Sequence, residues 1–149
     1  MKSQQVRVVL PVIQDADGYP PVNREGVWVS IVEPGIGIVD SIPFFARAAT
    51  YQDRVRFGVR GDEFVFEGMV ASSGNALIRV LCYPELDSSE LDRAIRAFGA
   101  DTEYSKQFDL LSVSMPPSAD LAALQAFLAR GEDEGRLGYE EAILPKGAD

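Results

Sequence analysis

Carboxylates, not imidazoles, are the reactive groups this chain offers. It contains no histidine, which removes Ser-His-Asp triads, Cys-His dyads, imidazole acid–base work and histidine metal ligation together. Cys82 stands alone, so neither an intrachain disulfide nor a zinc site of the Cys/His type is available. Two carboxylates could still serve acid–base catalysis if one were held in an apolar cleft. Asp15, Asp17, Asp40 and Asp53 instead fall at turns or strand ends, where solvated or capping roles are the default. Asp15, Asp17 and Gly18 match the start of a calcium loop, but the third acidic position is Tyr19 and the bidentate glutamate position is Gly26. A capped turn is expected there. No Walker loop or G-x-S-x-G elbow occurs, and Gly35-Ile36-Gly37 lacks a third glycine. No catalytic residue, metal or cofactor is expected, and an enzyme built on carboxylates and Arg79 ranks last among the readings.

Binding constellations are better represented. Ser72-Ser73-Gly74-Asn75 could present backbone N–H groups to an anion, although making a turn is the commoner use of such residues. Arg79 shares a strand face with Leu77 and Leu81. Either it pairs with a buried carboxylate or it marks a ligand site with Phe44, Ser73 and Asn75. Arg60-Gly61-Asp62 spells an integrin-recognition tripeptide, but a tight hairpin needs the glycine for backbone reasons and no secretion signal is evident. Glu132-Asp133-Glu134, with Asp101 and Glu103, forms acidic clusters that are either a solvated rim or a surface for a basic partner. Tyr19, Trp28, Tyr51 and Tyr104 are interface anchors if exposed and ordinary core if buried.

The net charge sharpens this choice. Residues 1–74 carry 7 Lys/Arg and 9 Asp/Glu, a net of −2, whereas residues 75–149 carry 7 and 14, a net of −7. Such a surface repels nucleic acid phosphates and anionic lipid heads. A basic protein is the expected partner, with acidity for solubility alone as the plainer explanation. No apolar run approaches the roughly 18 residues of a membrane span. The N-terminal valine-rich run reads as a strand rather than a signal peptide, so a cytoplasmic protein is expected.

The elements that must position these groups follow from periodicity. Val6, Val8, Leu10 and Val12 alternate along a first strand, with Pro11 implying an edge or bulge. Further strands are expected at 27–32 and 36–42. A hairpin over 54–60 and 63–70 turns at Gly61-Asp62. Its register on paper sets Arg60 opposite Glu63, Val59 opposite Phe64, Phe57 opposite Phe66 and Arg56 opposite Glu67. Pro43 should end the third strand, and Ala46-Arg47-Ala48-Ala49 favours a helical turn. Phe44 and Phe45 are adjacent and cannot share a strand face, so either they serve two surfaces or the chain leaves the sheet there. After a strand at 76–83, Asp87 should cap a helix over 90–98. Strands at 102–105 and 110–115 follow, then a helix capped by Ser118 and ended by Gly131, then a strand at 137–144. This order is that of a ferredoxin-like βαββαβ fold. The expectation is an α+β protein. Residues 1–74 form a small antiparallel barrel-like sheet, packed on a ferredoxin-like half at 75–149 as one cooperative unit.

Several segments together resemble a bacterial family known as domain of unknown function 4265. These are "DADGYPP", Trp28 in "GVWV", "IPFFARAATYQDRV", "SSGNALIRV" and "GRLGYEEA". They cover most of the chain in the family's order, and none is a catalytic signature. The resemblance implies a small bacterial cytoplasmic protein, of a kind often encoded near toxins or other accessory genes, and supplies no activity. The leading expectation is therefore a non-enzymatic acidic binding protein, most concretely an immunity-type inhibitor of a basic toxin. It would act through Asp101, Glu103, Glu132, Asp133 and Glu134. The alternative is a small-ligand sensor with a pocket between the two halves, lined by Phe44, Ser73, Asn75 and Arg79.

Overall fold

The computed structural model describes residues 4–83 and 87–145. The chain divides into two compact units, Met1–Ser73 and Gly74–Asp149.

The first unit is a closed five-stranded barrel of β1 (Gln5–Pro11), β2 (Arg24–Glu33), β3 (Ile36–Val39), β4 (Arg54–Arg60) and β5 (Glu63–Ala71). Alternation places Val6, Val8 and Leu10 of β1 in the interior with Val27 and Val29 of β2, Val39, Val55 and Phe57. Four antiparallel pairings run in chain order. The barrel then closes by a parallel pairing of β1 with β5, Val8 opposite Phe64 and Val9 opposite Val65. Closure in this way removes the edges that an open sheet would expose. Pro11 ends β1, where its missing N–H costs no ladder bond.

The β4–β5 hairpin turns at Gly61, whose φ of +61° suits the tight connection. Arg60, Val59 and Phe57 face Glu63, Phe64 and Phe66 as the paper register has it. Arg56 does not face Glu67. A register shift between Arg56 and Phe57 sets it opposite Gly68, because one extra residue is accommodated on the longer strand as a bulge. Residues 40–50 are irregular. The alanine run forms no helical turn there, and side chains hold the backbone on either side of it. The N–H groups of Phe44, Phe45 and Ala46 all donate to the Glu25 carboxylate, at 2.7, 2.8 and 2.9 Å. Phe45 is buried and Phe44 half-buried. The buried Asp53 carboxylate accepts from the N–H groups of Thr50 and Ser73 at 2.9 and 2.8 Å.

The second unit is a four-stranded antiparallel sheet with two helices. Its strands are β6 (Ala76–Cys82), β7 (Asp101–Ser105), β8 (Leu110–Met115) and β9 (Leu137–Ile143), in the order β7-β8-β6-β9. Helix α1 (Ser88–Arg96) joins β6 to β7, and α2 (Leu121–Asp133) joins β8 to β9. This is the ferredoxin-like order. One sheet face, carrying Ala76, Ile78, Val80, Leu111 and Val113, packs with Leu91 and Ile95 of α1 and Leu124 and Leu128 of α2. Asp87 caps α1 as its position implies, its carboxylate accepting from the Ser89 N–H at 2.9 Å. Helix α2 is capped by Asp120 rather than Ser118, the carboxylate accepting from Ala123 N–H at 3.0 Å. It also runs two residues beyond Gly131. That glycine is a packing residue, since a Cβ there would lie 2.8 Å from the Leu137 side chain. No helix among the described residues is long and apolar enough to cross a membrane.

Candidate functional site

The last turn of α2 concentrates negative charge. Leu124, Leu128 and Gly131 turn its buried stripe to the core, so Glu132, Asp133 and the C-cap Glu134 project into solvent. A helix C-terminus already carries the negative end of the helix dipole, so three successive carboxylates there oppose local stability. Among the described residues Glu132 and Asp133 have no ion-pair partner, and Glu134 lies 3.6 Å from Arg136. Their field reaches β9. The Tyr139 phenol is pushed above its ordinary value, first by burial and then by Glu132, Glu141 and Asp133.

Asp101 and Glu103 sit elsewhere. They lie on β7, an edge strand, opposite Ser114 and Ser112 of β8. Those serines share the sheet face that turns away from the helices. Both carboxylates are exposed. Tyr104 beside them is exposed and donates its hydroxyl to Asp109 at 2.5 Å, which raises its pKa. The two acidic clusters thus stand at opposite edges of the sheet, because α2 packs along β9 and Asp101 and Glu103 belong to β7.

Arg79 is at the centre of this same face. Ser112 stands opposite it on β8 and Glu140 opposite it on β9. Its Nη1 donates to Glu140 Oε1 at 2.5 Å, with Arg79 4% exposed and Glu140 42%. Ser112 donates through Oγ to the Glu103 carbonyl at 3.3 Å. A carboxylate, a hydroxyl, a guanidinium and a second carboxylate thus cross the four strands in one row. Asn75 is buried at the start of this unit. In the first unit, Ser73 donates through Oγ to the Tyr51 carbonyl at 3.0 Å, and Phe44 is held by Glu25.

The other carboxylates are occupied structurally. Asp15 accepts from the N–H groups of Asp17 and Tyr19, closing a turn. Asp40 meets the Gln5 amide. No group of three His, Cys, Asp or Glu side chains among the described residues could hold a metal ion.

Comparison with protein families gives a match over residues 25–139 to the family described as "Domain of unknown function (DUF4265)". The chain belongs to the DUF4265 family. The matched region begins at Glu25 and ends at Tyr139, so it includes the loop anchor and the first three residues of β9. A crystal structure of a hypothetical protein from Neisseria gonorrhoeae is similar, with a TM-score of 0.77 and 26% identity. The similarity covers 97% of this chain and 96% of that one. No curated protein matches.

Three groups in this DUF4265 chain escape a reading by residue type. Glu140 is legible only once the β6–β9 register is fixed, which then sets it opposite Arg79. Glu25 bonds backbone N–H groups about twenty residues away, and no side-chain pattern marks such a partner. A cleft of about 570 Å³ lies between α1, α2 and the start of β9, rimmed by Arg93, Arg130 and Arg136. Its signal was the helical spacing of Phe127, Arg130, Gly131 and Glu134, which places them on one side of α2.

Proposed function

We propose that this DUF4265 chain is a non-enzymatic binding protein of the bacterial cytoplasm that captures a basic protein partner. Its most concrete form is an immunity-type inhibitor whose acidic surface covers the basic active face of a toxin. The observation that carries this reading is the run Glu132-Asp133-Glu134, exposed at the negative end of α2, two of its three members without an ion-pair partner among the described residues. Charge kept where it opposes folding is better suited to an incoming cation than to the helix that bears it. Complementary fields of this kind speed encounter and select partners. Asp101 and Glu103 provide a second acidic patch on β7, so a partner is engaged either at the α2 end or at the sheet edge.

Affinity capture from the native host, followed by mass spectrometry, tests the reading. A single stoichiometric basic protein should be retained by the wild type and lost from E132K/D133K/E134K. Retention of the same protein by that triple variant would remove the α2 end from the interface.

A further inference from the structure

We propose that the cleft between α1, α2 and β9 binds a small organic monoanion with an apolar body. Its volume of about 570 Å³ falls within the range of small-molecule sites. Arg93 comes from the last turn of α1, Arg130 from the last turn of α2, and Arg136 from the turn before β9. Three separate segments therefore bring guanidinium groups to one rim.

Arg93 and Arg130 have no ion-pair partner among the described residues, and Arg136 is 3.6 Å from Glu134. Glu90 and Glu134 share the rim. Three guanidiniums against two carboxylates leave one positive charge in excess. That balance suits one negative charge, while the two glutamates repel a phosphate dianion or a polyphosphate. Guanidinium forks match a carboxylate in geometry as well as in charge.

The remaining wall is apolar, with half-buried Phe127 and Ala94 offering the open surface for a hydrocarbon or aromatic body and the buried Leu91 and Leu137 backing it. Gly131 contributes to that wall. Its missing side chain lets Leu137 settle against α2, since a Cβ there would meet Leu137 at 2.8 Å. The ligand chemistry that follows is a carboxylate at the arginine rim with an apolar tail against Phe127 and Ala94. This cleft shares Glu134 with the acidic run proposed for the protein partner, while Arg93 and Arg130 lie outside that run.

Titration of the full chain with octanoate, followed by amide shifts in heteronuclear NMR, tests the proposal. Octanoate should shift the amides of Ala94, Phe127 and Gly131 saturably. Octanol, octylammonium and inorganic phosphate should each bind at least about tenfold more weakly. Arg93→Gln and Arg130→Gln, both at exposed positions, should each weaken octanoate by about tenfold. Two independent substitutions keep the test decisive if one of them fails to fold. Absence of shifts at those amides with millimolar octanoate overturns the proposal. So does equal binding of octanol, tighter binding of phosphate, or unchanged octanoate affinity in a folded arginine variant.

Discussion

Arg79 and Glu140 face each other across β6 and β9, Nη1 to Oε1 at 2.5 Å, the guanidinium buried and the carboxylate half in water. The pair therefore couples an interior cation to a solvated anion. Partial exposure of Glu140 discounts its worth relative to a fully buried bridge. A double-mutant cycle with Arg79→Met and Glu140→Gln should give a coupling of about 1–2 kcal/mol by chemical denaturation. A coupling near zero would mean that the pair is an incidental contact of two otherwise satisfied groups.

Glu25 holds the irregular segment 40–50 through three backbone N–H groups. Charge-assisted bonds of this kind are individually among the stronger ones. Glu25→Ala should cost about 3 kcal/mol and release amide exchange protection at Phe44, Phe45 and Ala46. Glu25→Gln keeps one acceptor oxygen and should cost clearly less. Equal losses for the two variants would show that packing of the Glu25 stem, not its carboxylate, fixes the loop.

Much of this architecture was legible because burial imposes periodicity. Val6, Val8 and Leu10 mark β1, Leu124 and Leu128 mark α2, and the strand–helix order of the second unit gives its sheet topology. What was not legible depends on groups far apart in sequence. The parallel closure of β1 on β5 leaves no local signature, because either strand reads the same with any neighbour. The bulge that moves Arg56 from Glu67 to Gly68 is a register shift that the alternation of residue types along the two strands does not report. The acidic residues were legible as a composition, but their division between the end of α2 and the β7 edge required the sheet order. The arginine rim was obscured because its three members lie among acidic neighbours in sequence and meet only in the folded unit.

The α2 terminus should be stabilised by removing its own charge. Glu132→Gln and Asp133→Gln should each raise stability by about 0.3–1 kcal/mol at low ionic strength, with the gain shrinking as salt is added. Thermal melting across a salt series measures this. The double neutral variant should also lower the Tyr139 pKa, since both carboxylates contribute to raising it. Loss of stability in these variants would mean that Glu132 and Asp133 serve the fold rather than a partner.

Cys82 is buried, and burial with the nearby Asp109 charge pushes its thiol up to about 11 from 9.0. The folded state therefore binds the proton more tightly than the unfolded one. Its contribution to stability is complete below pH 9 and is lost as pH rises from 9 through about 11. Cys82→Ala should flatten this part of the stability profile. Native Cys82 should also react slowly with a thiol reagent at neutral pH and rapidly once the chain is unfolded. Fast reaction in the folded protein would contradict a buried, protonated thiol.

The decisive measurement is the affinity of the captured basic partner for the wild type and for E132K/D133K/E134K, taken by calorimetry at low and at physiological salt. Binding through the α2 end predicts a loss of at least about a hundredfold on charge reversal and a wild-type affinity that falls with salt. Equal affinity for both proteins, insensitive to salt, would contradict capture by these carboxylates.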